Sequence, residues 1–174
     1  MNVSAPTMRI LFDRPTIAAR VAELGQRITR DYDGQPLTMV GVMKGSFIFF
    51  ADLVRTLDLD IQVDFIGVAS YVGMESTGQV RITSDLTSSI EGKNVLLVED
   101  IVDSGVTVDF LLDVLRVRNP KSLRICALLS KPEARKMHHP VDYIGFEIAR
   151  EFVVGYGLDL DGRYRQLPNI MQVV

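Results

Sequence analysis

At 174 residues the chain is long enough to bury a sizeable core and short enough to form one domain, taken as residues 1–174. Its 47% hydrophobic and 24% charged residues are the composition of a soluble globular protein. Nineteen Lys plus Arg against 22 Asp plus Glu leave a net charge of −3, which gives no electrostatic footprint for nucleic acid or an anionic membrane. Any anionic ligand must therefore be held locally, by placed backbone amides, a few cations or a metal. The lone Cys126 excludes an intrachain disulfide and suits a reducing compartment. The first six residues lack the basic and apolar regions of a signal peptide. No apolar run approaches the ~20 residues that span a bilayer. A cytoplasmic location is expected.

In chain order, Asp13 is placed to cap a helix carrying Ile17, Val21, Leu24 and Ile28 at helical spacing. A strand over 37–42, a turn at Lys44-Gly45 and a helix over 47–54 follow. Residues 61–68 alternate polar and apolar and form a second strand. The segment 70–79 loses periodicity, carries Gly73 and Gly78, and reads as a surface loop or long hairpin returning at 80–82. Residues 91–94 are turn chemistry before the buried strand Val95-Leu-Leu-Val98. A helix then runs to about Arg118 and ends at Asn119-Pro120. Strands over 124–129, 141–146 and 152–156 complete the set. Strands alternating with helices predict an α/β fold, with a mostly parallel central sheet covered on both faces. In such sheets ligands bind beyond the carboxyl ends of the strands.

One such end carries Glu99, Asp100 and Asp103, followed by Ser104-Gly-Val-Thr107. A helix N-terminus opening there would offer unpaired N–H groups and partial positive charge to a phosphate. Gly105 would let the backbone approach closely, and the Ser104 and Thr107 hydroxyls could donate to phosphate oxygens. The upstream carboxylates would repel that phosphate and suit hydroxyls, a metal or a proton. The ligand this implies is bipartite, a phosphate joined to something hydroxylated such as a ribose. The plain alternative is a capping cluster, because Asp103 and Ser104 both suit an N-cap. A phosphoacceptor aspartate of the receiver kind is another. The P-loop and dinucleotide glycine patterns are both absent.

The stretch Glu99-Asp-Ile-Val-Asp-Ser-Gly-Val-Thr107 resembles the phosphoribosyl-pyrophosphate motif of type I phosphoribosyltransferases. Val40–Ser46, Val63–Phe65, Ser70-Tyr71, Leu128–Lys131, Gly145–Ile148, Phe152–Asp159 and Arg165 resemble its hypoxanthine-guanine branch, in order along nearly the whole chain. The resemblance implies a central sheet with a small hood and a mobile lid. It implies transfer of a phosphoribosyl group from phosphoribosyl pyrophosphate to a 6-oxopurine, with Mg2+ as cofactor and a dimer or tetramer as the assembly.

By the same resemblance Glu99 and Asp100 face the ribose hydroxyls, directly or through the metal, and Asp159 holds metal on the pyrophosphate side. Asp103 is the general base for purine N7, and its neighbouring carboxylates are expected to raise its pKa. Residues 103–107 hold the 5′-phosphate, with Val106 standing where some members carry a lysine. Lys131 donates to the purine 6-oxo group, Phe152 stacks on the ring, and the backbone near Val153 reads its far edge, beside Asp159. Lys44, Gly45 and Arg165 meet the pyrophosphate, and the peptide before Lys44 is often cis in the family. Ser70 and Tyr71 open the lid, which runs to about Gln79. His138-His139 read as an exposed connector. Two rivals remain at this level: a nucleotide-sensing regulator on the same fold, and a transferase preferring xanthine or a pyrimidine.

Overall fold

A computed structural model of the protein describes residues 6–70 and 80–174. Strand β1 (Met8–Phe12) leads into α1 (Arg14–Tyr32). Asp13 caps this helix by accepting the Thr16 N–H at 2.9 Å, and Pro15 sits in the first turn, where a missing N–H costs nothing. Then follow β2 (Leu37–Met43), α2 (Phe47–Val54), β3 (Ile61–Ser70), β4 (Val80–Ser84) and β5 (Asn94–Val102). Helix α3 (Val106–Arg116), β6 (Ser122–Ser130), β7 (Tyr143–Glu147), β8 (Val153–Val154) and β9 (Ile170–Val173) complete the order.

The main sheet has the order β4-β3-β2-β5-β6-β7, parallel except for the antiparallel edge strand β4. Along β5, Val95 and Leu97 pack with α3 through Val108, Leu111, Leu112 and Leu115. Leu96 and Val98 pack on the other face with Ile17, Val21 and Leu24 of α1 and with Phe49 and Leu53 of α2. This is the alternation of a strand buried on both faces. Beyond Val98 the phase slips by one: Ile101 belongs to the α1/α2 side and Val102 to the α3 side. Glu99 and Asp100 lie in that slip, so two adjacent acids escape strict alternation.

The expected hood is a second, three-stranded antiparallel sheet, β1-β9-β8, whose Val153, Val154 and Ile170 are buried. Neither β1 nor β9 was evident in the sequence pattern, and the strand expected over 152–156 is only Val153–Val154. The short strands of this sheet gain their partners from the two ends of the chain, which no local window contains. The strand expected to stop at Val98 continues through the acids to Val102.

Candidate active site

The strand order reverses direction between β2 and β5, the place where open α/β sheets leave a crevice beyond their carboxyl ends. Strand β2 delivers Lys44 and Gly45 there, after a cis Met43–Lys44 peptide. Strand β5 delivers Glu99 and Asp100. A Cβ on Gly45 would lie 1.7 Å from Asp100 Oδ2, and one on Gly157 would lie 2.2 Å from the Gly45 carbonyl oxygen. Three segments distant in sequence therefore meet at contact distance, and only glycine fits between them. Gly157 lies in the Phe152–Asp159 stretch without a role of its own at the level of sequence, although the Gly155-Tyr-Gly157 spacing after an apolar run is a signal for close backbone approach.

Glu99 is buried, and its Oε2 has no hydrogen-bond partner among the described residues. Burial, reinforced by the charge of Asp100, pushes its carboxyl well above the usual range. Burial likewise raises Asp100 to about 6, opposed by the Ile101 N–H and by Arg165 and reinforced by Asp159. A buried acid lacking a partner is costly in a ligand-free chain. The Glu99 oxygen suits a donor brought from outside.

Helix α3 begins at Val106, its N-cap is Gly105 with a φ of +86°, and no side-chain hydrogen bond from that residue caps the helix. The capping alternative for Asp103 and Ser104 is thereby set aside, and only a 3.5 Å contact runs from the Val106 N–H to Ser104 Oγ. The helix end is thus open to an anion. A Cβ on Gly105 would also strike Met137 at 2.5 Å, so packing as well as φ requires glycine. Val106 is exposed and adds no charge.

Parallel pairing of β5 with β6 sets Val102 beside Ser130, and the Lys131 N–H donates to the Val102 carbonyl at 2.9 Å. Register therefore places Lys131 next to Asp103, and Nζ meets Asp103 Oδ2 at 2.9 Å. The Lys131 side chain is 13% exposed and that of Asp103 54%. The neighbour that Asp103 meets is this ammonium, where the sequence suggested its fellow carboxylates; burial places Glu99 and Asp100 elsewhere.

Asp159 and Arg165 are brought together at 2.6 Å, and Arg165 also donates to the Gly157 carbonyl at 2.6 Å. Asp159 Oδ2 accepts the Gly162 N–H at 2.7 Å. The three carboxylates expected to hold metal do not form a preassembled cluster among the described residues, and Asp159 is engaged in these contacts. Asp100 and Asp159 still feel each other's charge and offer hard oxygen donors. That pair fits Mg2+, which characteristically takes one or two carboxylates together with substrate phosphates.

Phe152 is half exposed, as a platform for a flat ring would be, while Val153, the next residue, is buried in the hood. The expected lid lies outside the described residues, Tyr71 included; Ser70 is the last residue of β3.

A family model described as phosphoribosyl transferase domain matches residues 8–161, and the chain belongs to that family. It is 47% identical to the hypoxanthine phosphoribosyltransferase of Escherichia coli (strain K12), over 97% of this chain and 96% of the relative. It is 48% identical to the hypoxanthine-guanine phosphoribosyltransferase of Dictyostelium discoideum, over 91% of each. A crystal structure of a hypoxanthine-guanine phosphoribosyltransferase from Bacillus anthracis superposes with a TM-score of 0.92 at 43% identity, covering 98% of this chain and 100% of that one.

Proposed function

We propose that the protein, as one domain over residues 1–174, transfers the 5-phosphoribosyl group from phosphoribosyl pyrophosphate to hypoxanthine and/or guanine. The products are IMP or GMP and pyrophosphate, a purine-salvage reaction. The observation that carries this reading is the Lys131–Asp103 contact at the mouth of an uncapped helix. It sets a donor for a 6-oxo group and an acceptor for a ring proton side by side, next to an anion cradle.

In the ligand-free chain these two groups neutralise each other. A 6-oxopurine, stacked on Phe152 with the backbone near Val153 at its far edge, draws Lys131 to its carbonyl oxygen and leaves Asp103 free. Asp103 then takes the N7 proton while N9 bonds to C1′ and the bond to pyrophosphate breaks. Adenine presents an amine where Lys131 also has only donors, and so leaves the pair closed. Residues 103–107 hold the 5′-phosphate through the α3 amides and the Ser104 and Thr107 hydroxyls. Glu99 and Asp100 accept from the ribose hydroxyls, and the unpartnered Glu99 oxygen supports that role. Lys44 and Arg165 hold the departing pyrophosphate, and the Gly45 backbone borders it. Asp100 and Asp159 would hold Mg2+, which supplies charge neutralisation on the diphosphate when bound. Ser70 and Tyr71 begin the lid that keeps water from the ribosyl centre.

Phe47, Val63 and Phe65 are exposed on the α1/α2 side of the sheet and suit a homo-oligomer, a dimer or tetramer, which light scattering would detect. Among the described residues no helix is long and apolar enough to cross a membrane. The buried thiol of Cys126 suits the reducing cytoplasm. The reaction is tested by incubating hypoxanthine, guanine, xanthine and adenine separately with phosphoribosyl pyrophosphate and Mg2+ and following nucleotide formation. Turnover of hypoxanthine or guanine is expected; absence of both products would refute the proposal.

A further inference from the structure

The connector between β6 and β7 has no regular structure, yet it follows the anion loop and α3 contact by contact. Lys131 meets Asp103, and the Lys136 N–H donates to the Ser104 carbonyl at 2.9 Å. The Met137 side chain occupies the space a side chain on Gly105 would need. The His138 N–H donates to Asp109 Oδ2 at 3.2 Å, and the His139 ring bonds the Arg116 guanidinium. Of these anchors Asp109 is the odd one. It lies in the first turn of α3, so its negative charge stands close to the amides that would hold a phosphate dianion. Its Oδ1 is buried without a partner among the described residues. A carboxylate there works against the anion and is left half satisfied.

We infer that Asp109 is a positioning residue for the phosphate cradle: it clasps the connector through the His138 N–H and accepts weaker phosphate binding through its charge. The clasp presses Met137 against Gly105 and fixes the loop in the conformation that leaves the α3 amides open. This rests on the proposed reaction and extends it to a residue that touches no substrate.

The two contributions separate by substitution. Asp109→Asn keeps an oxygen for the His138 N–H and removes the charge, whereas Asp109→Ala removes both. Kinetics with hypoxanthine are expected to show the KM for phosphoribosyl pyrophosphate falling about two- to fivefold in Asp109→Asn. In Asp109→Ala it should stand about three- to tenfold above the Asn variant, the loss of one hydrogen bond. The KM for hypoxanthine should hardly move in Asp109→Asn. Equal KM values for phosphoribosyl pyrophosphate in the two variants would overturn the clasp, and an unchanged or raised value in Asp109→Asn would overturn the charge effect. Met137→Ala, which leaves Asp109 intact, should raise the same KM, and an unaltered value would count against the clasp even if Asp109→Ala failed to fold. Calorimetry with ribose 5-phosphate on the same proteins reads the cradle without turnover. A parent enzyme that transfers nothing would therefore refute the reaction, while the variants' ribose 5-phosphate affinities would still decide the clasp.

Discussion

Strands β5 and β6 carry polar groups at both ends, and the two ends treat them in opposite ways. At the amino ends Asn94 donates to Gln35 Oε1 at 3.3 Å and to the Pro36 carbonyl at 3.2 Å, and accepts the Ser122 hydroxyl at 2.8 Å. Lys121 reaches the same Gln35 oxygen at 3.1 Å. At the carboxyl ends Glu99 has an oxygen with no partner among the described residues, and Asp100 is pushed up to about 6. Polar groups that serve stability are satisfied within the chain. The Glu99 oxygen, placed where a ligand would bind, is left short of a partner, and the ligand-free fold carries the cost.

The sharpest way to break this contrast is at Asp103. Asp103→Asn should lower kcat by about 10²–10⁴-fold, the usual worth of a general base, with little change in melting temperature. A variant with parental kcat would refute the base. Next, Lys131→Gln should reduce the preference for hypoxanthine over adenine in kcat/KM by roughly 10–100-fold, since Gln offers an acceptor as well as donors. An unaltered preference would remove Lys131 from purine recognition.

At the opposite pole, Asn94→Ala should destabilise by about 1–3 kcal/mol, because it takes the partner from the Ser122 hydroxyl and from the Pro36 carbonyl in a partly buried network. Denaturant melts would measure that, and kcat should stay near the parental value. A large fall in kcat would blur the division between the two ends.

The smallest expected effect is at Asp100, with the opposite sign in stability. Its carboxyl titrates near 3.8 when unfolded and near 6 when folded, so the folded chain holds the proton more tightly. Between those values folding takes up a proton, and this group's contribution makes stability fall as pH rises from about 4 to about 6. Above that range the penalty of a buried charge is fully present. Asp100→Asn should therefore raise stability at pH 7.5 by about 1–2 kcal/mol and flatten that part of the pH dependence in thermal melts, while lowering activity. A less stable Asn variant would show that the buried carboxylate is compensated in the free protein.

Much of this was legible in the residues. Helical spacing and an N-cap marked α1, the apolar run 95–98 marked the central strand, and acids followed by Ser-Gly-Val-Thr marked the anion loop. The resemblance of that stretch, with Lys131 and Phe152–Asp159, placed the chain in its family. The hood was not legible: β1 and β9 lie at the two ends of the chain, and their pairing is a long-range event without a local signature. The alternatives for Asp103 could not be separated either. Whether it caps α3 depends on where that helix starts, which the left-handed Gly105 and its packing against Met137 determine.

The sequence by itself determined the alternation of strands and helices, the two-sided burial of the central strands and the kinds of chemistry at one strand end, because these depend on local periodicity and side-chain type. Only the tertiary structure decided that Lys131 stands against Asp103, that Asp159 is engaged by Arg165, and that Asp109 holds the connector. Strand register and close approach between distant segments set those contacts, and both follow from how the whole chain packs.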